Sequence, residues 1–217
     1  MSLLAALAVK PWLPQPPDPG RAAPRAPAAA VGLRVLLGVI AMLFALFAIA
    51  LLVRARLPDW QALPWPATLW LNTGLLAASS VALQFASGSA RHGRERGLRG
   101  ALAAAAALAL GFLAGQGWVW AQFVAAGHFV ASHPAASFFY LLTGLHGLHL
   151  AGGLVALGWA AAGLAREGPG ERSARRVALC ATYWHFLFAV WLVLFALLAS
   201  SPGTLVALGS AVGMHSH

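Results

Sequence analysis

The stretch Phe138-Phe139-Tyr140-Leu141-Leu142-Thr143-Gly144-Leu145-His146-Gly147-Leu148-His149 sets two histidines into an apolar run that extends from Ala136 to Gly158. A helix of that length crosses a hydrocarbon layer of about 30 Å at about 1.5 Å per residue. A second run, Val177–Ser200, carries Tyr183-Trp184-His185-Phe186-Leu187-Phe188-Ala189-Val190-Trp191. Polar side chains at such depth must find partners within protein or serve a function.

Working outward, three further runs qualify as spans: Val35–Val53, Ala67–Ala86 and Ala101–Val124, whereas Thr204–Val212 is too short to cross. The 217 residues are 60% hydrophobic and only 9% charged, with a mean hydropathy of +0.77. The expected fold is therefore all-α, a polytopic membrane bundle of five transmembrane helices. Its domain organisation reads as a Pro/Ala-rich tail over 1–33, a membrane domain over 34–200 and a C-terminal tail over 201–217. Within the tails, Pro11–Ala30 reads as extended or disordered and Met214-His215-Ser216-His217 as mobile. Met1–Lys10 lacks a basic residue ahead of its apolar stretch and does not read as a signal peptide.

The net charge of +9 is spread as topology signals are. Lys10, Arg21, Arg25 and Arg34 precede the first span, Arg91, Arg94, Arg96 and Arg99 follow the second, and Arg166, Arg172, Arg175 and Arg176 follow the fourth. Only Arg54 and Arg56 lie on the other side. The positive-inside rule then puts the N-terminus in the cytoplasm and the C-terminus in the periplasm. Scattered over three short segments, these arginines do not form a nucleic-acid surface. Arg91, His92 and Arg94 are placed to meet lipid headgroups.

Several chemistries are missing from the sequence. There is no Cys-x-x-Cys-His, no His-Glu-x-x-His and no Gly-rich phosphate loop, and the single cysteine, Cys180, reads as a small packing residue. Asp18, Asp59, Glu95, Glu167 and Glu171 all fall in the tail or loops, so no carboxylate is available in the membrane as a proton relay.

The polar residues of the spans fall into stripes. On the second span Asn72, Thr73, Ser79, Ser80 and Gln84 recur at spacings of four and seven and share one face, which should hydrogen-bond to other helices. Gly111 and Gly115 of the third span suit close packing, with Gln116 beyond them. Trp118 and Trp120 read as anchors in the outer aromatic belt. On the fourth span His146 and His149 point the same way, beside Gly144, Gly147, Ala151 and Gly152. Trp184, Phe188, Trp191 and Phe195 make an aromatic ridge on the fifth. Two readings of the histidines stand side by side: hydrogen-bonded docking against neighbouring helices or a partner subunit, or a bis-histidine haem bridging helices, for instance through His149 and His185.

Taken together, the segments resemble subunit III of the haem-copper oxidases. Leu69–Ala86 is similar to that family's Leu-Trp-x-Asn-Thr…Ser-Ser segment, through Trp70, Asn72, Thr73, Ser79 and Ser80. Phe139–Gly153 is similar to its Phe-x-x-x-Thr-Gly-x-His-Gly-x-His helix, through Thr143, Gly144, His146, Gly147 and His149. Tyr183–Phe195 is similar to its Tyr-Trp-His-Phe…Trp-x-x-Leu-Phe helix, through Tyr183, Trp184, His185 and Trp191. Two acidic positions depart. Val119 stands where the family's Gln-x-x-Glu-x segment, here starting at Gln116, carries glutamate, and Phe188 stands where many members carry aspartate. Roles of those carboxylates do not transfer.

The resemblance implies the short five-helix bacterial form. It implies a redox-silent subunit, without a catalytic centre, cofactor or metal of its own, in the inner membrane of a bacterium. Such a subunit flanks subunit I, with subunit II in the same complex, holds phospholipid, and supports oxygen reduction and proton uptake in aerobic respiration. Haem and copper belong to the partners. An accessory subunit of a nitric oxide reductase, a small neutral-solute transporter using the Asn72/Ser79/Ser80 stripe and a membrane cytochrome b are the alternatives.

Overall fold

A computed structural model describes residues 28–61 and 63–211. Its elements are α1 (Ala28–Arg54), α2 (Thr68–Arg91), α3 (Glu95–Ala125), α4 (Pro134–Glu167), α5 (Glu171–Ala199) and α6 (Pro202–Ala211). Five of them, α1 to α5, are long and apolar enough to cross a membrane, as the hydropathy runs require. The Met1–Lys10 reading, the tail up to residue 27 and the Met214–His217 tail lie outside the described residues.

The helices overrun the apolar segments at the charged ends. Helix α1 covers Ala28–Arg54, so Ala28–Ala30 are helical, where an extended or disordered chain was expected. Alanine is the best helix former, and the proline-rich composition that argues for extension stops at Pro27. Helix α3 starts at Glu95, whose carboxylate pairs with Arg99 one turn on at 2.5 Å, a favourable i,i+4 pair that hydropathy does not register. Beyond Ser200, within the stretch read as a tail, α6 forms a short helix. Pro202 opens it, Ser201 Oγ accepts the Thr204 backbone N–H at 3.3 Å, and Leu205 is buried.

Tight turns make neighbouring helices antiparallel. Gly93, with φ +65°, turns the chain between α2 and α3, and Gly168, with φ +74°, does so between α4 and α5. Helices α2, α3, α4 and α5 close a ring, each packing on the next and α5 returning to α2. Inside it lies one core, with Leu76, Leu83, Phe112, Phe139, Leu150, Trp184 and Trp191 at its centre. Helix α1 packs outside this ring against α4, α5 and α6, through a second cluster that includes Ile40, Phe44, Leu51, Leu142, Leu194 and Leu205.

Candidate functional site

Within the ring, the polar residues of the spans form a repeated joint. Tryptophan can only donate, while a hydroxyl offers one proton and two lone pairs. At mid-ring Trp184 Nε1–H donates to Ser79 Oγ at 3.0 Å, and Ser79 passes its proton to the Ala105 carbonyl at 2.8 Å. Nearer the loop end Trp191 Nε1–H donates to Thr73 Oγ1 at 3.0 Å, while Thr73 donates to Leu69 O at 2.9 Å. Between α3 and α4, Trp120 Nε1–H donates to Thr143 Oγ1 at 3.1 Å, and Thr143 donates to Phe139 O at 2.6 Å. The indole thereby ties one helix to the next, and in these three joints each indole and hydroxyl proton has an acceptor.

This geometry changes the role of Trp120. Its ring lies across Gly144, where a Cβ would meet Cη2 at 3.2 Å, so it packs between helices instead of anchoring in the outer belt. Trp118, two positions earlier, is 64% exposed and free to take an interfacial place. Trp70 is largely exposed and meets Phe195 edge-on at 4.8 Å between centroids. Of the aromatic ridge, Trp184, Trp191 and Phe195 are buried and Phe188 is half-buried. Val119 is fully buried in the α3 core.

The three histidines divide. His185 Nδ1 meets Ser80 Oγ at 2.5 Å and its Nε2 meets Gln84 Oε1 at 3.0 Å. Since Gln84 Oε1 only accepts, Nε2 carries the proton and Ser80 donates to Nδ1. His149 donates Nδ1–H to Leu145 O of its own helix at 2.7 Å, and its backbone carbonyl accepts the Tyr183 hydroxyl at 2.9 Å. His146 is fully buried, and neither of its ring nitrogens has a partner among the described residues. It sits in a box of rings: Trp191 at 5.2 Å, Phe112 at 5.9 Å and Phe44 at 6.3 Å. The cross-helix hydrogen bonds expected of these side chains are thus made by His185 alone. His149 bonds along its own helix, and His146 is held by ring packing. A haem bridge between His149 and His185 would have to break a hydrogen bond of His185, both of whose ring nitrogens are engaged. The His149 bond through Nδ1 leaves its Nε2 unengaged among the described residues.

Two amides complete the interior. Among the described residues, buried Gln116 has both amide atoms unpartnered, and Asn72 leaves its Nδ2 unpartnered while its side chain fills the space that Gly115 provides on α3. Gly111 likewise admits Leu75, so the pair of α3 glycines does let α2 approach closely. Gly147 receives Leu113 and Gly153 receives both Tyr183 and Trp184. Among the described residues no three His, Cys, Asp or Glu side chains are grouped as metal ligands.

Outside the ring, a groove between α4 and α5 of ≈ 460 Å³ runs from Arg166, Glu167 and Arg176 towards Ala156 and Cys180. A further groove of ≈ 400 Å³ continues from Ala156 and Cys180 past Gly153 and Tyr183, with Leu33 and Leu36 of α1 as its far wall. Arg176 reaches across Gly163, and its Nη2 pairs with Glu167 at 3.1 Å. Arg91, His92 and Arg94 are exposed at the turn between α2 and α3, where His92 donates to Gly88 O at 2.8 Å.

Comparison with known proteins is consistent with this arrangement. The family profile described as Cytochrome c oxidase subunit III matches residues 61–200. The chain is 35% identical over 162 residues to the probable cytochrome c oxidase subunit 3 of Nocardia farcinica, covering 71% of this chain and 79% of that one. It is 32% identical over 162 residues to cytochrome c oxidase subunit 3 of Thermostichus vulcanus, covering 70% and 77%. To the cytochrome bo(3) ubiquinol oxidase subunit 3 of Pseudomonas putida it is 28% identical over 125 residues, covering 58% and 60%.

Proposed function

Because this chain belongs to the cytochrome c oxidase subunit III family, we propose that it is the redox-silent subunit III of a haem-copper terminal oxidase, packed against subunit I in a bacterial inner membrane. As an oxidase subunit 3 it forms part of a respiratory complex with other subunits. Subunits I and II of that complex carry the haem and copper, and this chain contributes no catalytic centre. It supports oxygen reduction and proton uptake by holding the partner's membrane flank in place.

The observation that carries the reading is the chemical use of the family-motif polar residues. Thr73, Ser79, Ser80, Thr143, Trp184, His185 and Trp191 spend their hydrogen bonds on one another, on Gln84 and Trp120, and on backbone carbonyls. Groups so committed build a rigid slab, and rigidity is what a subunit without chemistry of its own has to offer a neighbour. The placement of arginines supports an N-terminus in the cytoplasm and a C-terminus in the periplasm. The α4–α5 grooves, apolar along their length and cationic at one end, suit a phospholipid, and Arg91, His92 and Arg94 suit headgroup contact.

Affinity purification of the tagged chain from its own membranes tests the assignment. Recovery of a haem-bearing subunit I, together with slower oxygen consumption by membranes that lack this chain, is the expected result. A chain recovered without any oxidase subunit, with respiration unchanged by its deletion, would refute it.

A further inference from the structure

The relay Ser80–His185–Gln84 ends at the surface of the bundle. Ser80 is buried, His185 half-buried and Gln84 exposed, and Gln84 Oε1 faces inward to take the His185 proton. Its Nε2 amide, a donor of two N–H groups, has no partner among the described residues. Gln84 lies seven to eight residues from the midpoint of the Ala67–Ala86 run, about 11 Å along the axis, towards the edge of but still within a hydrocarbon half-thickness of about 15 Å. Lipid chains offer no acceptor there, so an outward-pointing amide at that depth calls for protein.

The surroundings suit a helix. Along the same outer edge of the α2–α5 seam lie Ala77 and Gly88 on α2, with Thr182 and Ala189 on α5, and a Cβ added at Gly88 would meet nothing within 4 Å. Small side chains let another backbone come close. Exposed Val81 and Phe85 flank Gln84 on α2, so the small residues form a strip along the seam, whereas the outward faces of α1 and α4 show no such strip beside their exposed Val39, Met42, Leu148, Val155 and Trp159. The outer face of α3 is also small-sided, through Ala103, Ala104 and Ala107, yet no polar side chain stands on that stretch.

We propose that the α2–α5 seam centred on Gln84 is the surface on which a transmembrane helix of a neighbouring oxidase subunit docks, with an oxygen acceptor of that helix taking the Gln84 Nε2–H. The proposal rests on the oxidase-subunit reading and adds the face and the contact. The relay then runs unbroken from Ser80 in the core to the partner, and the tautomer of His185 is fixed by both ends.

The test places a photoreactive benzoylphenylalanine at Val81, exposed one turn from Gln84, in the full chain expressed in its own membranes. Parallel chains carry it at Ala107 on α3 and at Val155 on α4. Irradiation should link the Val81 probe to another oxidase subunit, and Gln84→Leu should cut the yield of that link about three- to tenfold. Links to an oxidase subunit from Ala107 or Val155 but not from Val81 would overturn the face while leaving the oxidase reading intact. A Val81 probe that links only to lipid or to a second copy of this chain would overturn the occupant. If no oxidase subunit is linked or co-purified in any of the three chains, the oxidase reading falls and the proposal with it.

Discussion

Trp184 and Ser79 form the joint at which three helices meet: the indole donates to the hydroxyl at 3.0 Å, and the hydroxyl donates onward to the Ala105 carbonyl at 2.8 Å. Both side chains are fully buried. Ser79→Ala strands the indole N–H and should cost about 1–3 kcal/mol, more than a simple lost hydrogen bond between helices. Unfolding in mixed micelles with rising SDS would measure it. Trp184→Phe combined with Ser79→Ala should cost less than the two single changes added together, because one bond cannot be lost twice.

Of the two adjacent glycines of α4, only one should be sensitive to substitution. A Cβ at Gly153 would come within 3.0 Å of the Trp184 and Tyr183 rings, whereas one at Gly152 meets nothing within 4 Å. Gly153→Val should therefore destabilise the bundle by about 1–3 kcal/mol through overpacking, and Gly152→Val should leave it within error. The same SDS titration distinguishes them.

His146 and His185 should part company as well. The His185 ring satisfies Ser80 and Gln84, so His185→Leu should cost about 1–2 kcal/mol. The His146 nitrogens satisfy nothing within the described chain, and its ring is packed among Phe44, Phe112 and Trp191. His146→Leu keeps the packing and removes unpartnered polar atoms, so stability should hold or rise. Equal losses for the two variants would contradict this account.

Much of the architecture could be read in the residues, because hydrocarbon thickness sets the length of a span and so its count. Helix ends could not: the Glu95–Arg99 turn is helical yet too polar to count as membrane, and α6 is held by the burial of Leu205, which no local pattern announces. For the polar residues, periodicity gave the face but not the partner. Asn72 and Ser79 share a stripe, yet Asn72 fills a glycine gap on α3 while Ser79 joins α3 to α5. Trp118 and Trp120 look alike in composition and depth, and only the rotation of α3 sends one outward and the other against Gly144. Glycines 152 and 153 are equally indistinguishable until α5 is in place.

The loop-side start of α4 should respond to pH. His133 Nδ1 accepts the Ala136 backbone N–H at 3.3 Å, capping the helix, which only the neutral ring can do. Burial, and then the neighbouring His128, hold its pKa below the ordinary 6.5. With the folded value depressed, the cap is in place above the ordinary value and is lost as pH falls through the folded one. Hydrogen exchange of the 135–140 amides, corrected for intrinsic rate, should therefore accelerate only on the acid side of pH 6.5. His133→Asn, which keeps an accepting oxygen but cannot titrate, should flatten that dependence.

We propose that this chain uses the His185 imidazole, its buried indoles and its hydroxyls to join helices and leaves redox chemistry to its partners. The most direct test is the visible absorption spectrum followed through dissociation of the purified complex. The haem bands should be present in the assembly, leave entirely with the partner subunits, and be missing from the separated, still-folded chain. A Soret band that stays with this chain in stoichiometric amount, and is lost in His149→Leu or His185→Leu, would contradict it.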